Sequence, residues 1–183
     1  MAVDLSSTHF ELFGLAPEFR IDREQLDSRF RELQRAAHPD RFASATDQER
    51  RLSMQQAAHI NEGYQTLKDP LKRGRYLLEL GGYRFTDEQH TTADAAFLME
   101  QMELREALGE VRASADPLGR LGAIMARIDG AFCKLADELP ACLEAGDAPH
   151  QDKAAEILLK MQFYRRLDEE ARDLEAAIED QPG

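Results

Sequence analysis

The stretch His38-Pro39-Asp40-Arg41-Phe42 lies between two segments of helical periodicity, and its reading decides the fold. Upstream, Leu26, Phe30, Leu33 and Ala37 recur at three- and four-residue intervals, and downstream Ala57, Ile60, Tyr64 and Leu67 do the same. Each segment is a helix with a single apolar stripe. Pro39 disfavours the α region for His38 and brings no N–H to a helix interior, so the first helix stops there. His38 and Asp40 are then presented on an exposed turn, at the polar tip of a helical hairpin.

Working outward, a short helix over Thr8 to Phe13, ended by Gly14, supplies Phe10 and Phe13, or Leu12 and Leu15, as the anchors of a lid over the hairpin. Asp22 is the expected N-cap of the first long helix, Arg23 to Ala37, with Gln25 completing a capping box. Asp47 is expected to cap the next helix, which runs to Lys68, where Asp69-Pro70 breaks it. A further helix over Leu71 to Leu80 carries Tyr76 and Leu77 and stops at Gly81-Gly82, the best domain boundary. Residues 83–91 form a linker in which Tyr83 and Phe85 are candidates to dock the two halves over a modest interface.

Beyond the linker, a helix is expected from Thr92 or Asp94 to Ala115. Asp116-Pro117 opens a second one, running to Ala145 with Pro140 as a kink or break. A third starts near His150 to Asp152 and places Leu167, Ala171, Leu174 and Ile178 on one stripe. Three long helices with short connections fold as an antiparallel bundle. The fold class is all-α, with residues 1–82 as the hairpin domain, 83–91 as linker and 92–183 as the bundle. Strand-type alternation and internal repeats are absent.

Composition narrows the function. The 183 residues carry a formal net charge of −12, 43% hydrophobic and 32% charged residues. The charge is uneven: residues 1–80 hold 12 Lys and Arg against 13 Asp and Glu, whereas residues 81–183 hold 11 against 22. An acidic half repels phosphate and the other half has no continuous basic tract, which argues against nucleic acid as a partner. No apolar run approaches the ~20 residues that span a bilayer, and Met1 to His9 lacks the basic and apolar regions of an export signal. A cytoplasmic protein of bacterial origin, with no membrane partner, is the expectation. Cys133 and Cys142 lie nine positions apart on one helical stretch, roughly 13 Å, too far for a disulfide, and are read as packing thiols. Without Cys-x-x-Cys or Glu-x-x-His, neither a structural zinc site nor a di-metal bundle site is expected, and no cofactor is assigned.

The hairpin with His38-Pro39-Asp40, together with Phe10-Glu11-Leu12-Phe13-Gly14-Leu15 and Ile60-Asn61-Glu62-Gly63-Tyr64 followed by Leu67, resembles the J domain throughout residues 9–80. The resemblance implies a docking device for an ATPase chaperone of the DnaK class, in which His38, Pro39 and Asp40 act with a basic helix face. Arg29, Arg35 and Arg41 are the cations assigned to that face. Their competing reading is solvated charge paired with Glu24 or Asp27. The chain departs from the J-domain pattern at Ala37, where an aromatic residue is usual, and at Arg41, where lysine is also common.

The segment Thr92-Ala93-Asp94-Ala95-Ala96-Phe97-Leu98-Met99-Glu100-Gln101-Met102-Glu103-Leu104-Arg105-Glu106 looks like the client-binding helix of the HscB family, J-type co-chaperones of iron-sulfur cluster assembly. Phe42-Ala43-Ser44 and Arg75-Tyr76-Leu77-Leu78 extend the likeness, which is weak only over residues 116–149. It implies an L-shaped molecule that is not an enzyme. It also implies two partners, an HscA-like chaperone whose ATPase is stimulated and an IscU-like iron-sulfur scaffold. The scaffold-binding residues it implies are Leu98, Met99, Met102, Glu103, Glu106, Glu110 and Phe163. Spacing independently sets 99, 102, 103, 106 and 110 on one face, and an exposed apolar patch ringed by carboxylates is a protein-binding surface.

Four other readings stand beside this one. Leu98, Met102 and Phe163 could be bundle core, with the glutamates a solvated face. The chain could serve unfolded clients generally, as other J-proteins do. His38 and Asp40 could form an acid/base pair, although a shallow turn offers no water-excluding pocket. Last, the tripeptide could be a mere turn in a helical adaptor.

Overall fold

The structure, a computed structural model, describes residues 6–37, 46–84 and 94–180. Among these residues there are helices and no strand. The chain folds as two compact units, Met1–Gly82 and Tyr83–Gly183. No helix of the described residues is long and apolar enough to cross a membrane. His38, Pro39, Asp40 and Arg41, the linker's Phe85 and Thr92 lie outside the described residues.

The N-terminal unit comprises α1 (His9–Phe13), α2 (Arg23–Ala37), α3 (Asp47–Lys68) and α4 (Pro70–Leu80). Thr8 and Glu11 close a reciprocal capping box on α1, and Gly14 ends it in the left-handed conformation at φ 65°. At α2 only half of the expected box forms. Asp22 accepts from the Gln25 N–H at 3.1 Å, but the Gln25 amide donates to the Gly14 carbonyl at 3.4 Å and so ties α2 to the end of α1. The cap of α3 is Thr46 and not Asp47. Thr46 stands in the extended conformation and shares a capping box with Glu49, leaving Asp47 in the first turn, where the helix dipole favours a carboxylate. Asp69-Pro70 both ends α3 and starts α4. The Asp69 carboxylate accepts the Leu71 and Lys72 amides, and Pro70 fits the first helical position.

The expected stripes meet as a hairpin. Leu26, Leu33 and Ala37 of α2 and Ile60 and Leu67 of α3 are buried with Phe10 and Phe13 of α1. Phe30 stacks on Tyr64 at 3.8 Å between ring centroids, and the Tyr64 hydroxyl donates to Asp27 at 2.9 Å. Gly63 explains why a helix-weakening residue sits inside α3. A Cβ there would come within 3.0 Å of Phe13 Cε2 and 3.1 Å of His9 Nδ1, so only glycine lets α1 press this closely.

In the C-terminal unit, α5 (Ala95–Gly109) stops earlier than the sequence pattern suggests. After Gly109 the chain tightens into a 3₁₀ turn, Val111–Ala113, because fully buried Val111 anchors it in the core and Ser114 Oγ donates to the Val111 carbonyl at 2.8 Å. Asp116 caps α6 (Pro117–Ala145) with Pro117 in its first turn, as expected. Pro140 does not divide α6. Buried Leu139 and Cys142 on either side of it hold the helix in place, offsetting the one backbone bond that proline forgoes. Cys142 is thus a packing thiol, whereas Cys133 is exposed. α7 (Ala148–Glu179) begins before His150, since Asp147 accepts the His150 N–H at 3.0 Å and Pro149 is tolerated in a first turn. Gly146, left-handed at φ 66°, turns the chain back so that α7 packs along α6. Phe97, Leu104 and Leu108 of α5 join Leu121, Ile124 and Ile128 of α6 and Tyr164, Leu167 and Ala171 of α7 in one core.

The packing of α1 on α3 carries a titration. The His9 ring lies 5.4 Å from the His59 ring and 4.6 Å from that of Tyr76, whose hydroxyl accepts the His9 N–H at 3.0 Å. His9 Nδ1 and His59 Nε2 are buried without a hydrogen-bond partner. Burial, then the neighbouring His59, hold the His9 pKa below its usual 6.5, with Glu62 opposing. Between that depressed value and 6.5 the unfolded chain binds more protons than the folded one, so stability falls as pH drops below about 6.5 until folded His9 itself protonates. Acidification from pH 7 will therefore lower the amide protection factors of α3 in the full-length chain, once intrinsic exchange rates are divided out, and His9→Phe will flatten that dependence. An unchanged acid response in His9→Phe would exclude His9 as the sensor.

Candidate functional site

Helix α5 is apolar over more of its circumference than α6 and α7 cover. Its buried residues, Phe97, Leu104 and Leu108, follow one stripe. Leu98, Met99 and Met102 are 44%, 64% and 72% exposed. Spacings of one, three and four residues bring these three together on the outer face. The core reading of Leu98 and Met102 is thereby excluded. Phe163 is intermediate: half-buried, it packs edge-on against Phe97 at 5.5 Å and against Tyr164 at 5.6 Å, belonging to the core's margin. The Arg105 guanidinium lies 5.6 Å above its ring.

The acidic rim is not uniform. Glu103 accepts from Arg127 of α6 at 3.0 Å, with Glu100 3.5 Å from the same nitrogen, and Glu110 pairs with Arg120 at 2.6 Å. These pairs are exposed and contribute on the order of 0–1 kcal/mol each. Among the described residues, the exposed Glu106 carboxylate has no hydrogen-bond or ionic partner.

Beneath the outer face runs a polar seam that sequence reasoning missed. The Tyr164 hydroxyl donates to Glu100 at 2.8 Å, and burial followed by that carboxylate raises the phenol's pKa well above its usual value. Lys160 bonds Asp94 and Glu156, each at 2.9 Å. The partners in the Asp94 and Glu100 contacts lie 66 and 64 residues apart, so no local pattern announces them.

In the N-terminal unit, the cations assigned to α2 find partners other than those expected. Arg29 pairs with Glu32 at 3.0 Å, and Arg35 Nε donates to the Arg31 carbonyl at 3.1 Å, while Asp27 is taken by Arg23. Arg31, one turn before Arg35 and exposed, is a neighbouring cation of Arg35 that the sequence reading did not single out. The tripeptide residues that would complete the surface fall outside the described residues.

Comparisons with known proteins agree with one another. A sequence profile described as the HSCB C-terminal oligomerisation domain matches residues 93–172. The co-chaperone protein HscB homolog of Shewanella sp. (strain ANA-3) is 44% identical over 172 residues, which cover 94% of this chain and 99% of that relative. Its counterpart in Shewanella baltica (strain OS155 / ATCC BAA-1091) is 41% identical over the same shares. Among solved structures, chaperone HscB from Vibrio cholerae matches with a TM-score of 0.83 at 40% identity, covering 94% of this chain and 99% of the other. Human co-chaperone protein HscB matches with a TM-score of 0.84 at 29% identity, covering 96% of this chain and 85% of that one.

The two faces of α5 should respond oppositely to substitution. Met102→Ser is expected to change stability by no more than about 0.5 kcal/mol, as for other exposed positions. Leu104→Ala, at a 1% exposed site, should cost about 2 to 5 kcal/mol. Thermal denaturation of the two variants checks the assignment, and comparable losses would refute it.

Proposed function

The chain belongs to the HscB family of J-type co-chaperones, and from that membership we propose that it delivers an IscU-like iron-sulfur scaffold protein to an HscA-like chaperone of the DnaK class and stimulates that chaperone's ATPase. A co-chaperone is not an enzyme, and the hydrolysis belongs to the partner. The observation that carries the reading is the outer face of α5. There, three large apolar side chains are exposed side by side next to the unpaired carboxylate of Glu106. An exposed apolar cluster with a polar rim has the anatomy of a protein-docking surface.

In this reading Leu98, Met99 and Met102 supply the apolar contact with the scaffold. Phe163 extends it from α7, and Glu103, Glu106 and Glu110 supply the acidic rim. Met99 and Met102 add adaptability, because an unbranched thioether repacks against an irregular partner at little cost. The J domain contributes His38, Pro39 and Asp40, with Arg29, Arg35 and Arg41 as cations steering an acidic chaperone surface. One molecule that holds both partners makes their encounter nearly intramolecular, which raises the effective concentration of scaffold at the chaperone without any new contact. Stimulation by scaffold and co-chaperone together is then more than the sum of the two alone.

Single-turnover ATP hydrolysis by the cognate chaperone, with scaffold present, tests both halves. The full chain should accelerate it, and His38→Gln should abolish the acceleration. The double variant Leu98→Ser and Met102→Ser should weaken scaffold affinity by at least about tenfold, the equivalent of 1.4 kcal/mol. It should keep the stimulation seen without scaffold. Equal rates for the full chain and His38→Gln would end the co-chaperone mechanism for this chain. Unaltered scaffold binding by the double variant would end the α5 assignment alone.

A further inference from the structure

We propose that Lys160 is a positioning residue for the scaffold-docking face: its ammonium sets where α5 begins and how its first turns are seated on α7, although it does not belong to the face. The proposal rests on the scaffold reading for its function and on the following geometry for its mechanism.

The two ends of α5 are held differently. The C-terminal half is seated by Leu104 and Leu108, continued by fully buried Val111. The N-terminal half, which carries Leu98, Met99 and Met102, buries a single side chain, Phe97. One apolar anchor fixes a helix in depth but not in rotation. The rest of the restraint there is polar: Glu100 accepts from the Tyr164 hydroxyl of α7 at 2.8 Å, and Asp94, at the very start of the helix, is held by Lys160.

Asp94 uses its two oxygens for different tasks. Oδ1 accepts the N–H groups of Ala96 and Phe97 at 3.0 and 3.2 Å and so starts the helix. Oδ2 accepts from Lys160 at 2.9 Å. The same ammonium is held by Glu156 at 2.9 Å and sits 5.4 Å over the Phe97 ring. Lys160 thus grips both the cap and the anchor of α5. Its side chain is only 16% exposed. Burial lowers its pKa, yet the bonds to Asp94 and Glu156 outweigh burial and leave the value above the usual one. The cation is therefore charged throughout the physiological range.

Lys160 also stands three residues before Phe163 on α7, so the group that places α5 and the aromatic ring adjoining the docking face share one side of one helix. The edge-on contact of Phe97 with Phe163 closes the loop between them. Without the ammonium, the carboxylate of Asp94 still caps α5 but no longer ties its first turn to α7, and the Phe97 ring and the Glu100 bond to Tyr164 are left to seat that half alone. The first turns, which carry Leu98 and Met99, can then shift relative to Phe163 while Leu104 and Leu108 keep the bundle folded. A face with its parts out of register binds more weakly.

The test uses the full chain as wild type, Lys160→Met and Lys160→Arg. Methionine keeps the apolar stem over Phe97 and removes the charge, whereas arginine restores the charge. Two quantities are read. The ¹³C-methyl NMR signals of Met99 and Met102 in the free protein report the seating of α5. Calorimetric titration with the scaffold reports binding. Lys160→Met should shift both methyl signals and weaken scaffold affinity about tenfold. Lys160→Arg should return both readouts most of the way to wild type. Unmoved methyl signals in Lys160→Met overturn the proposal, and so does loss of binding that arginine does not restore. If wild type itself fails to bind scaffold, the scaffold reading falls, and the methyl signals alone decide whether Lys160 positions α5.

Discussion

An α-helix turns 100° per residue, so a pair of neighbouring helices covers one stripe of a third and leaves the remainder to solvent. On α5 that geometric limit decides everything that follows. Apolar side chains at 97, 98, 99, 102, 104 and 108 are too many for one stripe. The stripe containing Phe97, Leu104 and Leu108 goes inward because it continues into Val111 and meets Leu121, Ile124 and Ile128. Leu98, Met99 and Met102 must then point outward. Rotating α5 to hide them would pull Leu104, 1% exposed, out of the core and lift Asp94 from Lys160. The exposed patch is therefore a consequence of the core, and it persists without a partner to hold it open.

The N-terminal unit meets a similar limit by a different device. A short helix such as α1 has little surface with which to anchor itself, and it gains contact by approaching α3 at Gly63. That closeness brings His9 against His59 and leaves buried ring nitrogens without partners, so tight packing and acid sensitivity arise from the same contact. The pairing of Phe30 with Tyr64, and of Tyr64 with Asp27, fixes α2 against α3 on the far side, so α1 does not need to organise the hairpin it covers.

Much of this was legible in the sequence, and what was legible was local. Caps such as Asp116 before Pro117 act over three residues, and the stripes at Leu26 to Ala37 and Leu167 to Ile178 act over two or three turns, so a linear reading reaches them. The errors were also local. Asp47 and Thr46 are both capable caps, but the backbone entering α3 is extended at Thr46 and the reciprocal Glu49 lies three residues beyond that position. The end of α5 at Gly109 depends on burial of Val111 against the other helices, which no local pattern carries. Whether Leu98 and Met102 were core or surface could not be decided from α5 alone, since the answer depends on how α6 and α7 cover it. The contacts of Lys160 with Asp94 and of Tyr164 with Glu100 join residues distant in sequence, and long-range polar pairs leave no periodic trace.

The seam between α5 and α6 shows how a strongly acidic unit keeps its carboxylates paired yet at the surface. Arg127 and Arg120 partly neutralise Glu103 and Glu110, each of which otherwise repels Glu106 between them. Both arginines remain well exposed, so water screens these pairs and the stability they contribute is small. A partner cation can therefore exchange with Arg127 at Glu103 for little cost, whereas the deeper pair of Lys160 with Asp94, less hydrated, resists exchange. The same interaction type thus serves two ends according to the burial of its cation: the exposed arginines keep carboxylates in place yet available, and the largely covered Lys160 ties the start of α5 to α7.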